Sequence, residues 1–206
     1  MSARPTSRPR LTFWFEFAST YSYPAAMRLD RAAAAKGVEA DWRPLILGPI
    51  FAGQGLKDSP FNLYPVKGAY MWRDMARLCA ELDLPLVQPS PFPQNSLLCA
   101  RIATAIEGAP RARFAQAVYA LEFGEGRTIS DPLVAAEALR RAGLDVALVE
   151  RAQEDSVKAA LRAATDEAQA QGVFGAPSFV TSDGELFWGN DRLDAALDWA
   201  VRHSSP

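Results

Sequence analysis

WFEFASTYSYPAA, residues 14–26, is the stretch whose reading decides the fold. Phe13, Phe15 and Phe17 alternate with less apolar positions, which is the period of a half-buried strand. Ser19-Thr20-Tyr21-Ser22 then offers hydroxyls, and Tyr23, Ala25, Ala26, Met27 and Leu29 follow as a helix would place them. A strand running straight into a helix sets these hydroxyls beside backbone N–H groups that have no partner. They serve there either as caps or as chemistry.

Working outward, the helix spans 21–36 and Gly37 closes it. VEADWRPLIL, residues 38–47, reads as a second strand, so the chain opens with a β-α-β unit of parallel strands and right-handed crossover. Residues 48–65 are rich in Gly, Pro, Ser and Asn and read as a long connecting loop of the kind that carries function. From Val66 the pattern is helical, with Tyr70, Met71, Met75, Leu78 and Leu82 apolar, and LPLVQPSPFPQ interrupts it. SLLCARIATAI and RARFAQAVYALEFG continue the helices, and in SDPLVAAEALRRAG Asp131 caps, Pro132 opens and Gly143 closes another. VKAALRAATDEAQAQG leads back to strands in APSFVTSDGELFWG, a hairpin about Ser182-Asp183-Gly184. In the final helix Leu193, Ala196, Leu197, Ala200 and Val201 share a face. This order predicts an α/β, thioredoxin-like fold. Its discontinuous domain would comprise 11–47 and 156–202, around an all-helical insertion at 66–155, with 1–10 as a flexible lead-in.

Composition narrows the function classes. With 206 residues the chain can bury a real core, and a net charge of −2 without a Lys/Arg stripe argues against a nucleic-acid surface. No apolar run approaches the roughly 20 residues of a membrane span. The basic MSARPTSRPR has no long apolar segment after it, so a secretory signal fails and a cytoplasmic protein is expected. Cys79 and Cys99 form no CxxC pair and are expected to be buried, which leaves no dithiol redox motif. The lone His203 near the end argues against a Ser-His-Asp hydrolase and a histidine metal site; no metal is expected.

EFASTYSYPA, PVKGAYMWRD and FGAPSFVTSDGELFWGNDRL together resemble the 2-hydroxychromene-2-carboxylate isomerases. They are similar, more loosely, to kappa-class glutathione transferases, and both groups are relatives of DsbA-like disulfide oxidoreductases. The resemblance spans about residues 11–202 and implies glutathione as cofactor. Ser19 falls where redox relatives carry their first catalytic cysteine, at a helix N-terminus that favours an anion. Its hydroxyl would donate to the cofactor's thiolate and lower the thiol pKa. Thr20 stands where the family usually has Pro and adds a second hydroxyl. Glu16 matches the family's acidic position, as an orienting group or as a surface charge on an edge strand.

The same resemblance implies that Ala176-Pro177 is the cis-proline site and that Ala176 holds the cysteinyl backbone by strand addition. Asn190 and Asp191 would receive the γ-glutamyl end, with a plain N-cap as the alternative. Lys67 would pair with the glycyl carboxylate, or else be an ordinary surface lysine. Asn95 would face the substrate, or serve a loop turn; Asn62 is a weaker candidate. Tyr70, Trp72 and Trp188 are expected mainly in the core, one or two of them lining an aromatic pocket. The implied activity is a glutathione-dependent isomerase acting on a small aromatic carboxylate in aromatic catabolism. A kappa-like transferase and a non-catalytic peptide-binding module are the alternatives, while the missing CxxC disfavours a disulfide oxidoreductase. The resemblance leaves room for a homodimer and implies neither nucleic acid nor membrane as partner.

Overall fold

β1 (Arg10–Phe15) is the centre of the sheet in the computed structural model, which describes residues 8–203. It pairs in parallel with β2 (Glu39–Pro44) and antiparallel with β3 (Ser178–Thr181). β3 pairs antiparallel with β4 (Leu186–Trp188), giving the order β2-β1-β3-β4. The fold is thioredoxin-like α/β. Most of the expected flexible lead-in, residues 1–7, lies outside the described residues. Its last part is ordered into the sheet: Arg10 belongs to β1, and Glu39 N–H donates to the Pro9 carbonyl.

α1 (Ser22–Ala35) makes the crossover, and Gly37, at φ +68°, follows its end. No side chain caps its start. The N–H groups of Ser22 and Tyr23 donate to the carbonyls of Ser19 and Thr20, so the hydroxyls of the opening stretch are not consumed as caps.

The expectation of a half-buried β1 needs correction. Phe13 lies opposite Trp42 of β2 and Phe179 of β3, with ring centroids 4.9 and 5.3 Å away, and this row faces the main core. Trp14, on the reverse face, is fully buried too. It packs in a second cluster with Ile50 of α2 (Leu47–Gly53) and Ala164 and Ala168 of α9 (Asp155–Ala170). α1 and α10 (Leu193–Arg202) cover the first face. A strand with helices on both faces is apolar at successive positions, and each large side chain so buried contributes roughly 1.5–3 kcal/mol.

The stretch 48–65 is not one loop. It holds most of α2 and, after a turn, α3 (Pro60–Leu63), which starts where the Ser59 hydroxyl accepts the Phe61 N–H. Ser-Pro is a helix-start signal, so the second helix was readable within the loop composition. Helices follow through α4 (Pro65–Glu81), α5 (Leu97–Ala105) and α6 (Ala109–Tyr119). A π-helical segment (Ala120–Gly124), α7 (Pro132–Arg141) and α8 (Leu148–Arg151) complete them. Asp131 caps α7 by accepting the Leu133 N–H at 2.8 Å. Among the described residues no helix is long and apolar enough to cross a membrane.

Candidate functional site

A cleft of 1210 Å³ opens at one edge of the sheet. The segments after β1 and β2 (Glu16–Tyr21 and Ile46–Gly48), the segment before β3 (residues 174–177) and the segment after β4 (residues 188–191) all line it. The carboxyl ends of parallel strands are where open α/β sheets bind ligands. The facing wall comes from the helical part, with Phe61, Lys67, Asp74, Leu78 and the 92–97 segment.

Ser19 and Ala176 meet in this cleft. The Ser19 hydroxyl donates to the Ala176 carbonyl at 2.9 Å, and the Ala176-Pro177 peptide bond is cis. Thr20 is buried, with its hydroxyl 3.1 Å from Met71 Sδ of α4. Of the two neighbouring hydroxyls, Ser19's is the one at the strand edge. Gly175 lets Trp188 pack close beside them: a Cβ there would lie 2.7 Å from Trp188 Nε1, so the indole would have to shift.

Asn190 and Asp191 form a 3₁₀ turn (Asn190–Arg192) ahead of α10 and line the same cleft. Neither acts as a side-chain cap of that turn or of α10, so the plain N-cap alternative is set aside. Asn190 is buried and held by Arg28 of α1, whose Nε donates to Oδ1 at 3.2 Å and whose Nη2 donates to the Asn190 carbonyl at 2.6 Å. Arg28 also pairs with Asp194 at 2.9 Å. Asp191 is exposed, and its carboxylate folds back over Gly189, at φ +111°, where a Cβ would lie 2.6 Å from Oδ1.

The remaining candidates are less converged. Lys67 lines the cleft while its Nζ sits 4.8 Å from the centroid of the Tyr64 ring, and Lys57 is a second cation there. Asn95 lines the cleft, yet its Oδ1 accepts the Leu97 N–H at 3.0 Å, so its oxygen serves the turn that starts α5. Asn62 donates to Asp58 at 3.1 Å and is not part of the lining. Tyr70 and Trp188, expected in the core, are 61% and 53% exposed; Trp188 stands on the edge strand and lines the cleft against Phe174. Trp72 is half-buried against Phe92, centroids 4.8 Å apart.

Two networks escaped the sequence reading. Tyr21 donates to Asp74 at 3.0 Å, and Arg77 pairs with the same carboxylate at 2.8 Å; burial first, then Asp74, pushes the Tyr21 phenol well up. Glu16 is 5% exposed because β1 is a central strand, which overturns its reading as an edge-strand surface charge. Burial raises its pKa to about 7 against the opposing hydrogen bonds of the Ser96 hydroxyl and the Ala18 and Ser19 N–H groups. Both cysteines are free and buried, and burial pushes the Cys79 thiol up to about 11. Among the described residues no cluster of His, Cys, Asp and Glu is placed to hold a metal ion.

The DSBA-like thioredoxin domain family matches residues 10–198. A 2-hydroxychromene-2-carboxylate isomerase of Sphingobium xenophagum is 31% identical over 186 residues, which span 89% of this chain and 94% of that protein. Glutathione S-transferase kappa 1 of Homo sapiens is 26% identical, over 88% of this chain and 86% of its own length. The solved structure of a 2-hydroxychromene-2-carboxylate isomerase superposes with a TM-score of 0.82 at 25% identity, covering 94% of this chain and 95% of that one. With a central β1, a cis-proline facing the β1–α1 turn and relatives of enzymatic name along nearly its whole length, the chain belongs to the DsbA-like thioredoxin family, in the branch of 2-hydroxychromene-2-carboxylate isomerases and kappa-class glutathione transferases.

Proposed function

We propose that the protein is a glutathione-dependent isomerase of 2-hydroxychromene-2-carboxylate or a similar aromatic-catabolism intermediate. The observation that carries this reading is the Ser19–Ala176 hydrogen bond of 2.9 Å across the cleft. The donor set suits a tripeptide with a carboxylate at each end. Ala176 offers a strand-edge backbone, Asn190 and Asp191 stand on one side of it, and Lys67 lines the same cleft.

In this mechanism the Ala176 carbonyl, which the Ser19 hydroxyl now occupies, would hold the cysteinyl N–H, and the Ser19 hydroxyl would then be free to serve the sulfur. Bound glutathione would supply a thiolate that adds to a conjugated carbon of the substrate, permits rotation about the former double bond and leaves again. Asp191 would hold the γ-glutamyl ammonium, and Lys67 the glycyl carboxylate. Arg28 holds the Asn190 turn in place through its two hydrogen bonds. Phe51, Leu56, Phe61, Leu78 and Phe92 line the part of the cleft suited to an aromatic ring. A kappa-like transferase is the second reading, favoured by the name of the human relative. Finding a stable conjugate in place of an isomer with free glutathione would select it. Two buried free thiols suit a cytoplasmic setting.

Reduced glutathione should raise the melting temperature in a dose-dependent way, and oxidised glutathione should do so less. No shift and no calorimetric signal at millimolar concentration would remove the cofactor. Asp191→Ala should weaken binding by about 1–2 kcal/mol through loss of a charge-assisted contact. Its melting temperature should hardly change, because the residue caps nothing and its 3.4 Å pair with Arg192 is exposed. A variant that loses stability but keeps its affinity would argue for a structural Asp191.

A further inference from the structure

Glu16 stands on the floor of the cleft with no task in the chemistry above. It follows directly on β1, three residues ahead of Ser19, and lines the cleft while almost fully buried. The Ser96 hydroxyl, at the start of α5, donates to its Oε1. From α6 the Tyr119 hydroxyl donates to the Glu16 backbone carbonyl at 2.9 Å. Behind it lies Glu122 of the π-helical segment, fully buried, its two oxygens without a hydrogen-bond partner and its pKa pushed well above the carboxylate range by burial and by Glu16. The titratable groups facing Glu16 are therefore Tyr119 and Glu122, and among the described residues no Lys or Arg forms an ion pair with it.

Among the described residues the two lysines of the cleft, Lys57 and Lys67, form no ion pair with Glu16. A thiolate beside Ser19 and an ionised Glu16 would be like charges, one of them on a buried side chain, and each disfavours the other. We propose that Glu16 takes up the proton that a thiol gives up when it binds beside Ser19 as a thiolate. The S–H bond breaks with its electron pair left on sulfur, an O–H bond forms on the Glu16 carboxylate, and the floor keeps a single negative charge. The carboxyl is poised for this, since burial, opposed by the hydrogen bonds of Ser96, Ala18 and Ser19, holds its pKa at about 7. The inference rests on the thiol-cofactor reading of the cleft.

Titration with reduced glutathione tests it, read as thiolate absorbance in the ultraviolet. Proton release is read by calorimetry in buffers of different ionisation enthalpy. Near about pH 8 the wild type should form the thiolate while releasing few protons, whereas Glu16→Gln should release about one proton per thiolate formed. Wild type alone gives a second measurement: its release should climb as pH falls from about 8 to about 6.5, because Glu16 then already holds its proton. Equal release from both proteins, or a wild-type release independent of pH, would overturn the proposal and leave the cofactor reading intact. Absence of binding, or binding without a thiolate band, would overturn both.

Discussion

Ser19→Ala should raise the pKa of enzyme-bound glutathione by about one to two units. A hydrogen bond to a charged group is worth roughly 1.5–3 kcal/mol, and each pKa unit corresponds to about 1.36 kcal/mol. The fold should survive, because α1 starts without a side-chain cap and the Ser19 hydroxyl touches one carbonyl, that of Ala176. Thiolate absorbance against pH measures the shift. Turnover of a chromene carboxylate should fall at neutral pH and partly recover in more alkaline buffer. Thr20→Val is the matched control, since that hydroxyl faces Met71 and should leave the bound pKa where it is. The opposite pattern would move the assignment to Thr20. A bound pKa unmoved in either variant would strip both hydroxyls of a role in the chemistry.

The second large effect concerns stability. Glu16 has its pKa raised from 4.5 to about 7 in the folded protein by burial. Below the unfolded value both states carry the proton and the residue contributes no penalty. Between the two values the unfolded chain releases it while the folded chain retains it, so stability falls as pH rises, and the full penalty stands above about pH 7. The loss amounts to something on the order of 3 kcal/mol. Glu16→Gln should match wild type in acid and be the more stable of the two above neutrality, which urea unfolding at a series of pH values would measure. Glu122 is raised in the same direction, by burial first and then by Glu16, so removing the Glu16 charge eases it too and adds to the difference in the same sense. Parallel stability curves would show that Glu16 does not carry the burden its burial implies.

Outside residues 48–65, where α2 and α3 went unread, local rules were enough for the order of elements. Period-two and helical spacing, Gly37 after α1, Asp131-Pro132 before α7 and Ser182-Asp183-Gly184 at the hairpin are short-range signals, and each lies where the structure has that feature. Ser19, Ala176-Pro177, Asn190 and Asp191 were legible as motif positions, and the fold brings them to one cleft because the three segments that carry them flank the same end of the sheet. Burial was not legible in the same way. The half-buried reading of β1 left the Trp14 face uncovered because α9, which packs on it, arrives from the far end of the chain. Glu16 could be read as an orienting group or as a surface charge, and the second reading stayed open because β1 becomes central only when β3 pairs with it. The choice between two adjacent hydroxyls fell to Met71, on another helix. Arg28 carries no local signal at all, since the Asn190 it holds is 162 residues away. The sequence by itself determined which segments turn, extend or coil, because those preferences reside in neighbouring residues. Which side chains face water, which share a charge and which hydroxyl stands free were decided only by tertiary packing, because desolvation and pairing depend on whatever distant segment comes to lie against them.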